Sequence, residues 1–305
     1  GIDIAKNVHW AGIILPNGKE IKKPFSFNNN KIGFKSLVET VKNILTMLNF
    51  KKVIIGMEPT GHYWKCCARY LKKIDWIKVV TVNPHHVKKS KEFDDNCQTK
   101  SDKKDCMTIA RLIKDARYFE PYLPEGVWAE LRNLSNTRAE LVRKQNAVKT
   151  RLIATMDEYF PEYAKVFKQI LSRTSEEILK ECPFPEDIKS KGKEGLLKHI
   201  KETVKRGYSK KQVEKIYKAA EESIGSEEGI NGAKFQTKMY IEEAEMLKKQ
   251  IKMTEEELEK QLKETGFYES IISIKGIGVV SAAMFIGEVG DINSCLLYTS
   301  DAADD

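Results

Sequence analysis

The feature that most limits the fold of this chain is a change of hydrophobic period near its amino end. Three short strand-like runs come first: Gly1 to Ile4, Val8 to Leu15 and, after the turn Pro16-Asn17-Gly18, Ile21 to Phe27. Asn-Gly between alternating apolar residues is a strong hairpin signal. Helical spacing then takes over across 31–48, with Phe34, Leu37, Val38, Val41, Ile44 and Leu45 on one face. Val53-Ile54-Ile55 reads as a buried strand, His62 to Lys73 as a second helix, and Ile77 to Val82 as another apolar, β-branched strand. Strands alternating with helices imply a parallel portion of sheet covered on both faces. Three antiparallel strands followed by β-α-β is the order of an α/β RNase H-like fold.

After this the pattern is helical. Trp128 to Ile153 predicts a long basic helix with Leu131, Leu134, Leu141, Val148 and Leu152 in a heptad-like stripe. Arg132, Arg138, Arg143, Lys144, Lys149 and Arg151 crowd its other faces. Such a helix is either half of a hairpin with a solvated face, or a coil that meets a second copy or a nucleic acid. Residues 160–232 are Lys/Glu-rich and helical, broken at Pro183, Pro185 and several glycines. A second coil is expected from Lys234 to Glu264, with Ala244, Leu247, Ile251, Leu258 and Leu262 as its seam; its mixed surface charge reads as structural. Further on, Lys275-Gly276-Ile277-Gly278 lies between two helical pieces. It has the form of a helix-hairpin-helix turn, whose N–H groups can hold a phosphate, or of a tight turn with no ligand.

The expected organisation is therefore an α/β domain over 1–125, a helical coiled-coil region over 126–265, and a further helical segment over 266–294. Cys295 to Asp305 reads as the translation of a sequencing-library adapter, and the opening at Gly1, directly on a strand, as a fragment end.

Lys and Arg number 52 against 44 Asp and Glu, a net charge of +8, which permits a polyanionic partner without proving one. The six cysteines include no CxxC pair and no zinc-finger spacing, so a zinc site is not expected. Their spacing suits a reducing cytosol better than a disulfide framework. No apolar run reaches the length of a membrane span, and no membrane partner is expected.

Four carboxylates carry the chemical expectation. Asp3 sits inside an apolar strand, where a charge needs a reason. Glu58 follows Val53-Ile54-Ile55-Gly56-Met57 at the carboxyl end of a strand, where α/β sheets place their ligands. Asp102 and Asp105 open a helix at a spacing that puts both on one face. Each taken alone has a structural explanation; Asp102 and Asp105, for instance, would favour any helix N-terminus. Together they would repel unless cations lie between them. Hard oxygen ligands suit Mg2+ or Mn2+, and paired ions can clamp the oxygens of a phosphoryl transfer.

The strings Gly1-Ile-Asp-Ile-Ala-Lys6, Met57-Glu-Pro-Thr-Gly-His-Tyr63, Val82-Asn-Pro84 and Lys100-Ser-Asp-Lys-Lys-Asp-Cys106 stand in this order and spacing. In this the chain resembles the DEDD transposases of bacterial insertion sequences, and the likeness runs to about Ser294. Cys106, where the family usually has Ala, and Ser101, where it usually has Thr, are departures that remove no ligand. The resemblance implies a RuvC-like domain with Asp3, Glu58, Asp102 and Asp105 as catalytic metal ligands. It implies a coiled middle and a C-terminal domain whose serine attacks DNA, a serine that neither Ser281 nor Ser294 matches. It also implies DNA as partner, a guide RNA, a homo-oligomer, and work in the bacterial cytoplasm at the nucleoid. The expected phosphate contacts are Arg132, Arg138, Arg143, Lys144, Lys149, Arg151, Lys275, Gly276 and Gly278.

Three other readings share parts of the pattern. An actin-like or sugar-kinase ATPase also opens on Gly-Ile-Asp, but the chain offers no second Gly-rich phosphate loop. A junction-resolvase-like nuclease would use the same four acids with metal-activated water. A non-catalytic nucleic-acid-binding coil protein would need none of them.

Overall fold

A computed structural model of the chain describes residues 1–94, 102–204 and 208–290. Two compact units divide it, Gly1–Leu123 and the remainder from Pro124.

The first unit runs β1 (Ile2–Asp3), β2 (Val8–Ile14), β3 (Glu20–Asn28), α1 (Lys31–Met47), β4 (Val53–Met57), α2 (Trp64–Lys72), β5 (Ile77–Thr81), α3 (Pro84–Asp94) and α4 (Asp102–Lys114). Its five strands form one mixed sheet in the order β3-β2-β1-β4-β5. β1 to β3 are antiparallel neighbours, while β4 pairs in parallel with both β1 and β5. This is the arrangement that the change of period predicts, and it is consistent with an α/β RNase H-like domain. The Asn-Gly turn closes as expected, with the Leu15 and Lys19 backbones bonded at 2.9 Å. Asn30 begins α1 by accepting the Gly33 N–H at 2.8 Å, satisfying a donor that the first turn leaves without a partner.

The two faces of the sheet differ sharply. On one, Ile2, Ala11, Phe27, Ile55, Met57 and Ile77 are buried beneath Phe34, Leu37 and Val41 of α1 and Cys67, Ala68 and Leu71 of α2. Strand alternation then turns Gly1, Asp3, Gly12, Gly56 and Glu58 to the opposite face. There α4 lies across a floor that has almost no side chains. A Cβ on Gly1 would come within 2.2 Å of the Cys106 carbonyl oxygen, one on Gly12 within 2.5 Å of Met107 Sδ, and one on Gly56 within 2.5 Å of Ile113 Cδ1. Three glycines on three adjacent strands thus let the helix rest on backbone. Ile109, Leu112 and Ile113 of α4 complete this layer with Val80, Val82 and Val87.

β1 is shorter than the strands on either side of it. An apolar cavity of about 460 Å³ is lined by Ile13, Leu15, Val53, Ile55, Val41 and Ile113 among others.

The second unit is helical: α5 (Gly126–Tyr159), α6 (Tyr163–Val166), α7 (Arg173–Glu181), α8 (Pro185–Val204), α9 (Lys210–Glu221), α10 (Ile230–Glu264), α11 (Tyr268–Ile272) and α12 (Val279–Val289). The two long helices are each longer than their apolar stripes suggest, and the stripes face one another. Leu131 packs in one cluster with Leu258 and Leu262, and Val148 in another with Ala244 and Leu247, so α5 and α10 run antiparallel. Arg138 Nε bonds Glu255 Oε1 across the pair at 2.7 Å. Both expected seams are therefore used against each other within the chain. Ile271, Ala282, Ala283 and Ile286 close over the Leu131 end. At the other end, Phe160, Tyr163, Ile178, Phe184, Leu196, Ile200 and Ile216 form the largest core, joined by Leu152 and Ile241. Pro185 begins α8, where its missing N–H costs nothing. No helix among the described residues is long and apolar enough to cross a membrane.

Candidate functional site

The site grows out of strand register. Ile2 of β1 stands beside Met57 of the parallel strand β4. The next residue on each strand is an acid, and both acids point to the α4 face. Asp3 and Glu58 therefore lie side by side at the carboxyl ends of strands spaced about 4.8 Å apart. On the other flank of Asp3, its partner across β2 is Trp10. Lys103 Nζ stands 5.0 Å from the Trp10 ring centroid.

The glycine floor carries the first turn of α4 to this end of the sheet. Asp102 is the first residue of α4; its side chain lies outside what the structure describes, as do Cys97 and Ser101. Asp105, one turn on, is only 6% exposed. Its Oδ2 accepts the Lys91 ammonium of α3 at 2.7 Å.

These groups share one electrostatic field. Burial pushes the Glu58 carboxyl above its ordinary value, Asp105 adds to the rise, and Lys91 opposes it. The Cys106 thiol is pushed up to about 11, chiefly by burial, with the Asp3 carboxylate among the lesser causes. Asp3 is thus beside Glu58 by register and within reach of α4 through Cys106, while Glu58 senses both Asp105 and Lys91. Among the described residues no three His, Cys, Asp or Glu side chains converge closely enough to hold an ion. A cation nonetheless stands at the most deeply buried of these acids, and the donors are hard carboxylate oxygens of the kind divalent ions prefer. In the chemistry of their donor atoms these acids suit such an ion.

Behind Asp3, the turn into β2 is pinned from below. The Ala5 N–H donates to His9 Nδ1 at 3.2 Å, Asn29 Nδ2 donates to the Lys6 carbonyl at 2.9 Å, and the Asn29 N–H to that of Asn7 at 2.8 Å. His9 is fully buried between Phe27 and Phe34. Burial holds its pKa below the ordinary value, with the nearby Asn29 side chain acting the other way.

The basic residues expected to meet phosphates divide into two groups. Arg132 pairs with Glu288 at 3.0 Å, Arg138 with Glu255, and Lys144 with Glu140 one turn away at 2.7 Å. Arg143 and Arg151 are exposed and Lys149 is half-buried. Lys275, Gly276 and Gly278 are exposed in the turn between α11 and α12, with Gly276 at a φ of +94°. Ser281 lies within α12, whereas Ser294 and all of 295–305 fall outside the described residues.

Sequence reasoning passed over Lys91, His9 and the glycine floor. Lys91 is one of several lysines in a row and nothing local marks it. The available signal was the converse one: Asp105 in a helix that packs apolar residues needs a partner.

The family model DEDD_Tnp_IS110, described as a transposase, matches residues 1–161, more than half of the chain. No curated protein matches it. The matched span holds the whole five-stranded sheet, both acid-bearing strand ends, α4 and the long helix α5. With Asp3, Glu58, Asp102 and Asp105 all inside that span, the chain belongs to the IS110-type DEDD transposase family.

Proposed function

We propose that this transposase cleaves and exchanges DNA strands at a divalent-metal centre held by Asp3, Glu58, Asp102 and Asp105. The observation that carries the reading is the placement of Asp3 and Glu58, adjacent at two strand ends, beneath the helix turn that brings Asp105. Bound Mg2+ or Mn2+ would polarise the scissile phosphate and offset the charge that builds on its oxygens. The four carboxylates would orient that phosphate, and the rigid floor beneath α4 would keep their spacing fixed.

Exposed Arg143 and Arg151, with Lys149 and the Lys275–Gly278 turn, would track the phosphate backbone; Arg132, Arg138 and Lys144 could join only by leaving their present carboxylate partners. By the family resemblance, a serine of the C-terminal transposase domain would attack DNA, a guide RNA would select the strands, and at least two copies would assemble in the cytoplasm. The division into 1–125, 126–265 and 266–294 belongs to the same proposal.

Calorimetric titration of the chain with MgCl2 and MnCl2 tests the centre. Saturable binding that Asp105→Asn and Glu58→Gln remove is the expected result. Binding of equal strength in the wild type and both variants would show that the ions sit elsewhere.

A further inference from the structure

The centre already contains a cation of its own. Lys91 Nζ lies 2.7 Å from Asp105 Oδ2, and the carboxyl group it meets is almost wholly shielded from water. A buried carboxylate without a partner is strongly unfavourable, so the metal-free fold depends on some positive charge at this position. The Lys91 side chain is 37% exposed, which leaves its stem a path back to solvent. Its backbone is held independently, because Val87, one turn earlier in α3, is buried against Ile109 and Leu112 of α4.

A divalent ion bound to Asp105 would sit about 2.1 Å from the carboxylate oxygen. That is the space the ammonium fills, and two cations do not share it. A lysine suits such a role. Its charge is compact, its four-carbon stem is flexible, and it makes no fixed two-pronged contact.

We propose that Lys91 is a tethered counter-ion: it occupies the acidic centre of the metal-free protein, and a divalent cation enters by displacing it from Asp105. The proposal rests on the acidic-centre reading given above. It makes Lys91 a positioning residue that keeps the acids in place before the ion arrives and sets how tightly the ion is held.

The test is MgCl2 titration by calorimetry, combined with thermal melts in EDTA and in saturating MgCl2. The chains compared are the wild type, Lys91→Gln, Lys91→Arg and Asp105→Asn, with Lys88→Gln and Lys89→Gln as neighbours on the exposed side of α3. Lys91→Gln is expected to bind Mg2+ about five- to twentyfold more tightly, since no ion pair has to be broken. It should also melt lower than wild type in EDTA and recover that loss in MgCl2. Lys91→Arg, whose planar fork grips a carboxylate at two points, should bind Mg2+ more weakly than wild type. The Lys88 and Lys89 variants should stay within about twofold of wild type, both being exposed.

Unchanged or weaker Mg2+ binding by Lys91→Gln overturns the proposal; if Asp105→Asn abolishes binding in the same series, the acidic centre itself stands. A gain in Lys88→Gln or Lys89→Gln as large as that in Lys91→Gln also overturns it, because the effect would then be one of general charge. Absence of Mg2+ binding in the wild type overturns both readings. Should Lys91→Gln fail to fold in EDTA, refolding in MgCl2 is the expected rescue, and failure in both media counts against the proposal.

Discussion

Asp3 and Glu58 are neighbours because Ile2 and Met57, the residues just before them, are paired on adjacent parallel strands. The pair of acids is thus fixed by backbone register and by parity, both of which also bury Ile2 and Met57 on the far face. Asp3→Asn and Glu58→Gln are each expected to weaken Mg2+ binding about tenfold or more, and the double variant by less than the product. Titration calorimetry on the three proteins checks this; strict additivity would mean that the two acids do not serve one ion.

The floor under α4 should be intolerant of even one methyl group. Gly56→Ala would drive a Cβ against Ile113 Cδ1 and Val80 Cγ2, and is expected to cost about 1–3 kcal/mol. Ile113→Val should recover part of that loss by shortening the obstructing side chain. Denaturant midpoints for the two single variants and the double variant give the coupling, and a coupling near zero would rule out the contact as the cause.

His9 gives the fold a pH dependence with a definite sign. Its pKa is lower in the folded chain than the ordinary 6.5, because burial disfavours the charged ring. The stability tied to the neutral ring is present in full above that ordinary value, and is lost as the pH falls toward and through the lower folded-state value. Melting temperature should drop by a few degrees between neutral and mildly acid conditions. His9→Asn, which keeps an acceptor near the Ala5 N–H but cannot titrate, should flatten that part of the profile. An unchanged slope in His9→Asn would assign the effect to other groups.

In the helical unit, the α5–α10 seam should bear the stability. Leu258 is fully buried against Leu131, and Leu258→Ala is expected to cost about 2–5 kcal/mol. Met246, on the same helix but 55% exposed, should change stability by less than about 0.5 kcal/mol when replaced by Ala. Chemical denaturation of both variants decides the matter; comparable losses would mean that Met246 is covered in solution.

DNA binding offers a separate check on α5. Arg143→Gln and Arg151→Gln should each lower the salt dependence of affinity by roughly one phosphate contact. Arg138→Gln should act mainly on stability, since its guanidinium bridges to Glu255. Binding isotherms over a range of NaCl concentrations would show the difference, and a steeper salt dependence in any of the three would contradict it.

Much of the first unit was legible because its strands are marked by turn residues and by runs of one hydrophobic period. Asp3 and Glu58 could be singled out because charge at the end of an apolar strand is conspicuous. The stripes of α5 and α10 were equally plain, yet a stripe does not name its partner. Only the antiparallel packing of Leu131 on Leu258 and Leu262 shows that the two seams meet each other. Lys91 was hidden for the opposite reason. Its role depends on the depth of Asp105, which sits on a different helix and belongs to tertiary structure alone. The part played by Gly12 and Gly56 was hidden too, because sequence shows the missing side chain but not the helix above it.

That bare surface has a further result. Where side chains separate two layers, a substitution can be absorbed by repacking, and the layers drift apart as sequences diverge. At Gly1, against the Cys106 carbonyl, there is nothing between the layers to repack. The height of α4 above the sheet is set by contact between main chains, as a shelf is set by its bracket. An acid at the end of that shelf keeps its place relative to the strand ends through three residues that have no chemistry of their own.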